Sequence, residues 1–340
     1  MILDIFSTDA FSLQSMSAAI MKAPHKPKLL GSLPLFTEEP IYTEYAVIEE
    51  MQGTLRLLNT SARGTVGNVR SADTRNVRNF RVPHVPYYQD VLASDIQNLR
   101  AFGSEDQLQP VASYINDQLE GMRADHEATH EWHRIGALKG VVYDGDNSSV
   151  IYNYFTEFGI TQNTSDFVYS TGDMTLVTND VIRQIAGALG GTMFGQIYAI
   201  CGDTYFDKVK QHSSVKNNFL NWSAAEFLQK SQLGPEWYTL AASGFYFNNI
   251  YFINYRGKVG DVDFIPATEA YYVPTGVTGL FKEVIAPGSF METVNTRGQR
   301  LYARQEMLPM NMGVKLHTQS SVLAICTRPA AVIKSTYSAS

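Results

Sequence analysis

The clearest pattern of apolar and polar positions in the chain predicts one long helix over residues 104–140. Ser104 and Gln107 fit a capping box at its start, and Pro110 suits the first position of the main helix. Apolar residues then recur three or four positions apart, which is the spacing of one helix face. These predicted helix-packing residues are Leu108, Val111, Ile115, Leu119 and Met122. From residue 110 to 138 the helix would be about 43 Å long at 1.5 Å per residue, so we expect an elongated domain.

Shorter stretches alternate between strand and helix patterns along the rest of the chain. Helices are predicted at 179–189, capped by Asn179, and at 203–220, capped by Asp203. Predicted strands cover residues 41–50, 141–155 (as a hairpin around DGDNSS), 197–202, 245–257, 269–276 and most of 292–335. Helices and antiparallel strands are therefore interleaved, which predicts an α+β protein.

The composition is that of a folded protein whose surface carries few charges. The 340 residues are 44% hydrophobic and only 18% charged, which favours a substantial core and a surface partly buried against partners. The formal net charge of −6 disfavours a dedicated nucleic-acid-binding protein. A secretory signal pattern and an apolar run of membrane-spanning length are both lacking, so we expect no membrane partner. We interpret Cys201 and Cys326 as free core thiols in a reducing cytoplasm.

A basic segment at 53–92 stands out from this acidic background. Its only acid before Asp90 is Asp73. Its middle is rich in Gly, Asn, Ser and Thr, while its ends are apolar, which predicts a long two-stranded excursion from the body. The alternative is an ordinary solvated hairpin. The arginines of the segment are Arg56, Arg63, Arg70, Arg75, Arg78 and Arg81.

The stretch HEATHEWH at 126–133 contains the H-E-x-x-H pattern of zinc proteases, with His126, Glu127 and His130 in the required positions. A catalytic zinc needs a third protein ligand, and the residues that follow do not match the extended zinc-protease pattern. The histidines continue the apolar stripe of the long helix, and Glu127 and Glu131 would lie beside it as polar flanking residues. We therefore favour a structural interpretation and expect no catalytic residue and no metal ligand here.

Other acidic or glycine-rich stretches predict no further site. Asp144 and Asp146 superficially suggest a calcium loop, but the later glutamate of an EF-hand is missing, so a turn is favoured. We expect no cofactor and no enzymatic activity.

Three blocks of sequence, in a fixed order, resemble the lambda-like major capsid proteins of tailed bacteriophages. The first is YAVIEEMQGTLRLLNTSARG followed by RNFRVPHVPYYQDVLASDIQNLRAFGSE. The second is HEWHRIGALKGVVYDGD followed by VIYNYFTEFGI. The third is FKEVIAPGSFMETVNTRGQRLYARQEMLPMNMGVKLHTQSSVLAICTRP at 281–329. The similarity covers roughly residues 35–335, and the first residues match least.

The resemblance implies the Hong Kong 97-type capsid fold, with the arginine segment as an extended loop that contacts neighbouring subunits. The implied segments are an N-terminal arm (1–40), the extended loop with its base strands (41–103), a peripheral domain with the spine helix and hairpin (104–169), an axial domain (170–285) and a C-terminal return to the peripheral domain (286–340).

The resemblance also implies a function. The chain would be a major capsid protein that self-assembles through pentamers and hexamers into an icosahedral shell around packaged phage double-stranded DNA. It would assemble in the bacterial host cytoplasm and end in the phage head. Scaffolding, portal and, in some shells, decoration proteins would be partners, and DNA would be touched non-specifically at the inner face. The acidic net charge fits this role, because a shell that bound the phosphates strongly would hinder the entry and exit of packaged DNA. The alternatives are an encapsulin-type compartment of the same fold and a zinc metalloprotease.

Lysine is absent between Lys28 and Lys139. Some shells of this fold are closed by a covalent bond between an extended-loop lysine and a neighbour's asparagine. A guanidinium stays protonated and is no amine nucleophile, so this loop would hold its neighbour non-covalently. Arginine can do so by binding carboxylates through two parallel hydrogen bonds.

Overall fold

The computed structural model describes residues 29–52, 74–96, 111–170, 172–220, 244–259 and 262–338. The helices are α1 (Leu29–Ser32), α2 (Ala93–Ile96), α3 (Val111–Lys139), α4 (Tyr154–Phe158), α5 (Met174–Ala188), α6 (Asp203–Gln211) and α7 (Ser213–Leu220). The strands are β1 (Phe36–Pro40), β2 (Tyr45–Gln52), β3 (Thr74–Arg81), β4 (Val85–Leu92), β5 (Val141–Tyr143), β6 (Val150–Asn153), β7 (Phe167–Val168), β8 (Ile197–Cys201), β9 (Gly244–Phe247), β10 (Ile250–Asn254), β11 (Lys258–Val259), β12 (Val262–Asp263), β13 (Glu269–Pro274), β14 (Phe281–Ile285), β15 (Tyr302–Met307), β16 (Gly313–Ser320), β17 (Val322–Cys326) and β18 (Ile333–Ser338).

The predicted long helix is present as α3, whose 29 residues span about 43 Å. Its first half packs against a sheet with the strand order β15-β16-β4. Ile115, Leu119 and Met122 are at most 4% exposed and form a small core with Val91 and Val314. Within the described ranges no helix, α3 included, combines the length and apolar character that a membrane crossing requires.

The second half of α3 enters the main core of the molecule through residues such as Ile135 and Leu138. The helix ends before Gly140, which has a φ of +85° and so takes the left-handed conformation that favours glycine. A Cβ at this position would lie 2.3 Å from the Phe155 ring. The chain can therefore turn directly into β5, which pairs with β6 as the predicted hairpin.

A three-stranded sheet, β1-β14-β17, lies against the second half of α3. β1 runs parallel to β14, with Phe36 opposite Phe281, and β17 runs antiparallel to β14. Every residue of β17 is buried, because one face meets α3 and the strand is inside the main core. This sheet brings the start of the described chain next to residues from its last third.

A six-stranded mixed sheet, β7-β18-β13-β8-β10-β9, forms the other large unit. β8 runs parallel to β10 and antiparallel to β13. The hydroxyl of Tyr205, from α6, lies 2.9 Å from that of Tyr272 and 2.8 Å from that of Ser335 in the buried interior. Residues 333–338, which we expected in the C-terminal return, form β18 in this sheet. Residues 333–336 pair with the edge of β13 that β8 leaves free, and residues 337–338 pair with β7.

Three local predictions differ from the structure. The helix expected from Asn179 begins five residues earlier, capped by Asp173, because buried Met174 extends its apolar face. The helix at 203–220 is two helices, and Asp203 is the first helical residue instead of the cap. The single strand at 245–257 is the hairpin β9–β10, since Asn248 and Asn249 both have positive φ and form its tight turn.

The prediction of free core thiols is confirmed. Cys201, in β8, and Cys326, in β17, are both free and buried. Burial raises the pKa of the Cys201 thiol well above its usual value and that of Cys326 to about 12, so both are protonated and unreactive at neutral pH.

Candidate functional site

The segment HEATHEWH lies on the second half of α3 and is buried. His126, His130 and His133 are each 2% exposed, and Glu131 is 0% exposed. Residues three or four positions apart share one helix face, so the three imidazoles lie along one side of α3.

Hydroxyl groups of β16 hydrogen-bond two of these histidines. His126 Nε2 is 3.0 Å from Thr318 Oγ1, and Ser320 Oγ is 3.1 Å from both His126 Nδ1 and His130 Nε2. Burial lowers the pKa of His126 to about 4 and holds the pKa of His130 well below its usual value. Both imidazoles are therefore neutral at pH 7, and a neutral imidazole offers the one donor and one acceptor that hydroxyls can match.

This geometry supports the structural interpretation of the motif over the zinc-protease alternative. The ring nitrogens of His126 and His130 that a zinc ion would use face hydroxyls of β16. A third ligand would also be needed, and the described residues contain no group of three His, Cys, Asp or Glu side chains that could hold a metal. Glu127, which would have to activate water, lies 3.4 Å from Arg300 Nε and its side chain is only 12% exposed.

Glu131 anchors the start of α1 to the long helix. Its Oε1 accepts hydrogen bonds from Leu30 N at 2.8 Å and from Tyr255 Oη at 3.1 Å, and its Oε2 accepts one from Gly31 N at 3.1 Å. Arg134 Nη1 lies 3.3 Å from Oε2. The first N–H groups of a helix have no partner within that helix, and this carboxylate satisfies two of them. We expected Glu131 to lie beside the apolar stripe as a polar flanking residue, but it is fully buried, because tertiary packing brings donors from Leu30, Gly31 and Tyr255 to it.

A chain of buried ion pairs continues from Glu131 across the molecule. Arg134 Nη2 donates to both carboxylate oxygens of Glu283, in β14, at 3.1 and 3.0 Å. Arg300 Nη2 donates to Glu283 at 3.1 Å, and Arg300 Nη1 donates to Glu38, in β1, at 2.6 Å. Burial acts to lower the pKa of Arg134, but the carboxylates of Glu283 and Glu131 outweigh it and raise that pKa. Arg134 therefore stays charged and bonded.

The buried charge cluster, defined here as Glu127, Glu131, Arg134, Glu283 and Arg300, joins α1, α3 and β14. Arg300 links it to the exposed carboxylate of Glu38 in β1. Removing one partner of a buried ion pair leaves an uncompensated charge, which lowers the free energy of unfolding by about 3–5 kcal/mol. Such a cluster therefore specifies one arrangement of these elements. A cleft of about 340 Å³ opens beside it, lined by residues that include Leu30, Phe36 and Arg123.

Sequence reasoning missed Glu283, Arg300 and Tyr255 as members of this site. Glu283 carried a usable signal, since an acid in the middle of the apolar stretch FKEVIA must find a partner if that strand is buried. Arg300 and Tyr255 carried none, because their sequence neighbours are typical of an ordinary loop and strand.

The acidic loop between β5 and β6 is a turn, as predicted. Asp146 Oδ1 accepts hydrogen bonds from Ser148 N and Ser149 N, both at 2.9 Å. Hydrogen bonds from Ser149 and Ser148 hold the pKa of Asp146 well below its usual value. The Asp146 carboxylate therefore stabilises its own turn by accepting these hydrogen bonds.

The predicted arginine loop is described only at its base, the hairpin β2–β3. Arg75 lies on β3 opposite Met51, and Arg81 lies opposite Tyr45 at the other end. The Arg81 guanidinium is 3.9 Å from Glu44, with both side chains about 70% exposed (70% and 69%). The remaining predicted loop residues, Arg56, Arg63 and Arg70, lie outside the described residues.

Arg78 contacts its own chain at the base of this hairpin. Its Nε donates to the Glu157 carbonyl oxygen at 2.9 Å, and its guanidinium carbon lies 4.8 Å from the centroid of the Phe158 ring. These contacts attach β3 to α4, so part of the arginine set stabilises the subunit itself.

Among the predicted helix-packing residues, Ile115, Leu119 and Met122 lie in the small core described above. Val111 is the first residue of α3, and Leu108 lies outside the described residues.

The architecture of a long helix packed between small sheets, with a six-stranded mixed sheet beyond it, is that of phage capsid proteins with the Hong Kong 97-type fold. The chain is similar to the capsid of Ralstonia phage GP4, with a TM-score of 0.55 and 8% identity over 93% of this chain and 92% of that chain. It is also similar to a prophage protein of E. coli CFT073, with a TM-score of 0.61 and 12% identity over 96% of this chain and 99% of that chain.

Sequence comparison identifies the family. Residues 12–337 match the model of the family Phage major capsid protein E, and the chain belongs to this family. It is 26% identical over 338 residues to the major capsid protein of Pseudomonas phage KPP10, covering 95% of this chain and 96% of that relative. It is 22% identical over 351 residues to the major capsid protein of Salmonella phage Felix O1, covering 94% of each.

The expected role is thereby confirmed at the level of phage major capsid proteins. The chain is a structural, non-enzymatic component of the virion capsid, and it assembles with copies of itself into a shell. The encapsulin-type alternative is not favoured by these matches.

Proposed function

We propose that copies of this chain form pentamers and hexamers that tile an icosahedral shell around packaged phage double-stranded DNA. In this proposal the small sheets and α3 form a peripheral unit, the six-stranded sheet forms an axial unit, and residues 41–103 reach a neighbour. The same proposal assigns residues 1–40 to an N-terminal arm, 104–169 to the peripheral unit, 170–285 to the axial unit and 286–340 to a C-terminal return. It also counts β18 as part of the axial sheet. In the same proposal, the shell assembles in the host cytoplasm together with scaffolding, portal and decoration proteins.

The observation that carries the proposal is an apolar face exposed on the hairpin β2–β3. Ala46 and Phe80 of this hairpin are buried in the main core. The opposite face exposes Tyr45, Val47 and Val77, which are 51%, 57% and 54% accessible. A two-stranded ribbon that buries one apolar face in its own subunit and exposes another favours coverage by a neighbouring subunit.

Arginines of the extended loop would strengthen this contact. Acidic side chains are exposed on the outer side of α3, at Glu120 and Asp125. Arginine forks on a neighbour's loop would bind such carboxylates through two hydrogen bonds each, whereas solvated arginines would contribute little. Arg56, Arg63, Arg70, Arg75 and Arg81 are the proposed intersubunit set, with Arg78 shared between its own chain and this surface.

Electron microscopy of particles purified after expression of the full chain with its scaffolding protein tests the proposal. Closed shells that contain nuclease-protected DNA after infection are the expected result, and shells filled with a protein cargo would favour an encapsulin-type compartment instead. Val47→Asp should leave the subunit folded, because the site is exposed, yet prevent closed shells from forming. Val47→Thr is the matched control of similar shape, and it should still assemble.

The non-covalent character of the loop contact has a separate test. Denaturing electrophoresis of mature shells should show single chains of 37.9 kDa. Replacing Arg63 and Arg70 by Glu should weaken the shells without unfolding the subunit, and high salt should act in the same direction. A ladder of covalent oligomers would contradict this part of the proposal.

A further inference from the structure

A cavity of about 310 Å³ lies where the end of α3 meets β5 and β12. Trp132 is held in place beside it, because its Nε1 donates to the Asp144 carbonyl oxygen at 3.1 Å and its ring centroid lies 5.4 Å from that of Phe264. Lys139, the last residue of α3, brings an amine to the same cavity. The other walls are mainly aromatic or aliphatic, at Trp132, Ile135, Val141, Tyr143, Val262 and Pro266.

The Lys139 amine has no anion of its own. Its Nζ makes no hydrogen bond and no ion pair with any residue that the structure describes. It lies 5.9 Å from the centroid of the Trp132 ring, at the outer limit of a cation–π contact. Glu269 is nearby, but Lys334 Nζ donates to its Oε1 and Tyr271 Oη donates to its Oε2, both at 2.6 Å. The carboxylate that could neutralise Lys139 is therefore bonded to other groups.

Burial without a bonded anion favours the neutral amine. Burial lowers the pKa of Lys139 from 10.5 to about 8, with Lys334 acting in the same direction and Glu269 against it. Asp263 also lines the cavity, but it is exposed and solvent screens its charge. About one Lys139 amine in ten is therefore neutral at pH 7, against fewer than about one in a thousand for an ordinary exposed lysine. The neutral amine is the nucleophilic form.

We propose that Lys139 is an acylation site, at which a small acyl phosphate converts the side-chain amine into an amide. The electron pair of Nζ attacks the carbonyl carbon and forms the C–N bond. The bond from that carbon to the phosphate oxygen breaks, inorganic phosphate leaves with the bonding electrons, and a proton passes from Nζ to solvent. This inference goes beyond the proposed shell function and does not depend on it, because the site lies within one subunit.

The product suits the cavity better than the free amine does. An amide carries no charge, so acylation removes the cost of holding an unpaired cation in these surroundings. The acyl group adds apolar atoms next to the aliphatic walls of the cavity, such as Ile135 and Val262. A small acyl phosphate is the fitting donor, because the cavity must admit the leaving group together with the acyl group.

Site-resolved mass spectrometry after brief exposure of the folded subunit to acetyl phosphate at pH 7.5 tests the proposal. Lys139 should be acetylated several-fold faster than Lys210 and Lys216, which are exposed. It should also react faster than Lys334, which is 26% exposed and paired with Glu269. The rate at Lys139 should level off above about pH 8, whereas an ordinary lysine gains reactivity up to about pH 10. Equal rates at these lysines, or no plateau at Lys139, would overturn the inference.

Substitutions in the cavity wall separate charge from access. Val262→Asp adds a carboxylate to the cavity, which favours the ammonium form, so acetylation of Lys139 should slow several-fold. Val262→Asn is the matched control of nearly the same shape without the charge, and it should react like the wild type. Equal slowing by both variants would show that access, and not protonation, sets the rate, and would contradict the proposal.

A thermal melt tests the preference of the cavity for an uncharged side chain. Lys139→Gln carries an uncharged amide, as the acylated lysine does, whereas Lys139→Arg keeps a permanent charge. The glutamine variant should therefore melt higher than the arginine variant by about 2 °C or more. A higher melting temperature for the arginine variant would show that the cavity favours a cation, and the assignment of Lys139 as an acylation site would fail.

Discussion

His133 is a buried neutral imidazole whose environment predicts a specific loss of stability in acid. It is 2% exposed, and neither ring nitrogen has a hydrogen-bond partner among the described residues. Burial lowers its pKa from 6.5 to about 4, although Asp144 and Glu283 act in the opposite direction. Arg134 follows it on α3, and neither Asp144 nor Glu283 is hydrogen-bonded to the ring.

The sign and size of the effect follow from these two pKa values. Because the folded pKa is lower than the unfolded one, the unfolded chain takes up the proton first as the pH falls. The stability contributed by neutral His133 is complete above pH 6.5 and is lost as the pH falls toward 4. The full difference is about 3 kcal/mol, and about 2 kcal/mol of it is lost at pH 5. His126 and His130 add losses of the same sign, because burial lowers their pKa values as well.

His133→Leu isolates this contribution. Leucine has a similar volume and does not titrate, so the variant should lose less stability than the wild-type subunit between pH 7.5 and pH 5. The difference in the free energy of unfolding should change by about 2 kcal/mol over that interval, measured by guanidinium unfolding with circular dichroism. Carboxylates titrate equally in both proteins and cancel in the comparison.

His126→Leu is the matched control on the same helix face. It leaves the Thr318 hydroxyl without its imidazole partner, so it should lower stability at pH 7.5. Because it also removes a buried imidazole with a lowered pKa, its stability should fall less steeply than that of the wild type toward pH 5. Parallel stability profiles for wild type and His133→Leu across this pH range would refute the assignment of His133 as a buried neutral group.

Other predictions concern the buried cluster, the small core and the thiols. Glu131→Gln should lower the free energy of unfolding by about 3–5 kcal/mol and expose the α1 region to limited proteolysis, because Arg134 and two backbone N–H groups lose their anion; an unchanged cleavage pattern would contradict it. Leu119→Asp should abolish folding or assembly, because a buried unpaired charge costs several kcal/mol. Glu127→Gln should leave assembly nearly intact and lower the free energy of unfolding by about 1 kcal/mol, since Arg300 keeps two other carboxylates. Equal losses for the two variants in thermal melts and assembly assays would contradict this ranking. Non-reducing mass spectrometry should find Cys201 and Cys326 free, and a bridged peptide would disprove the packing of β8 and β17.

Local patterns in the sequence determined the features that depend on neighbouring residues. The period of apolar positions was sufficient to predict α3 and its buried residues Ile115, Leu119 and Met122, since a helix face repeats every three to four residues. The runs around Cys201 and Cys326 similarly indicated buried strands. The order of three blocks indicated the capsid family, because block order depends on the whole chain and is far more specific than a five-residue motif.

Tertiary structure decided which partners the polar residues meet. Glu131 binds Leu30, 101 positions away, and Arg300 binds Glu38, 262 positions away, and no local pattern encodes such distances. The same holds for β18, whose place in the six-stranded sheet depends on the free edge of β13. The structural interpretation of HEATHEWH rests on the same kind of packing. A motif specifies which ligands a helix face could present, but only packing brings the hydroxyls of β16 to the imidazoles instead of a metal and its third ligand.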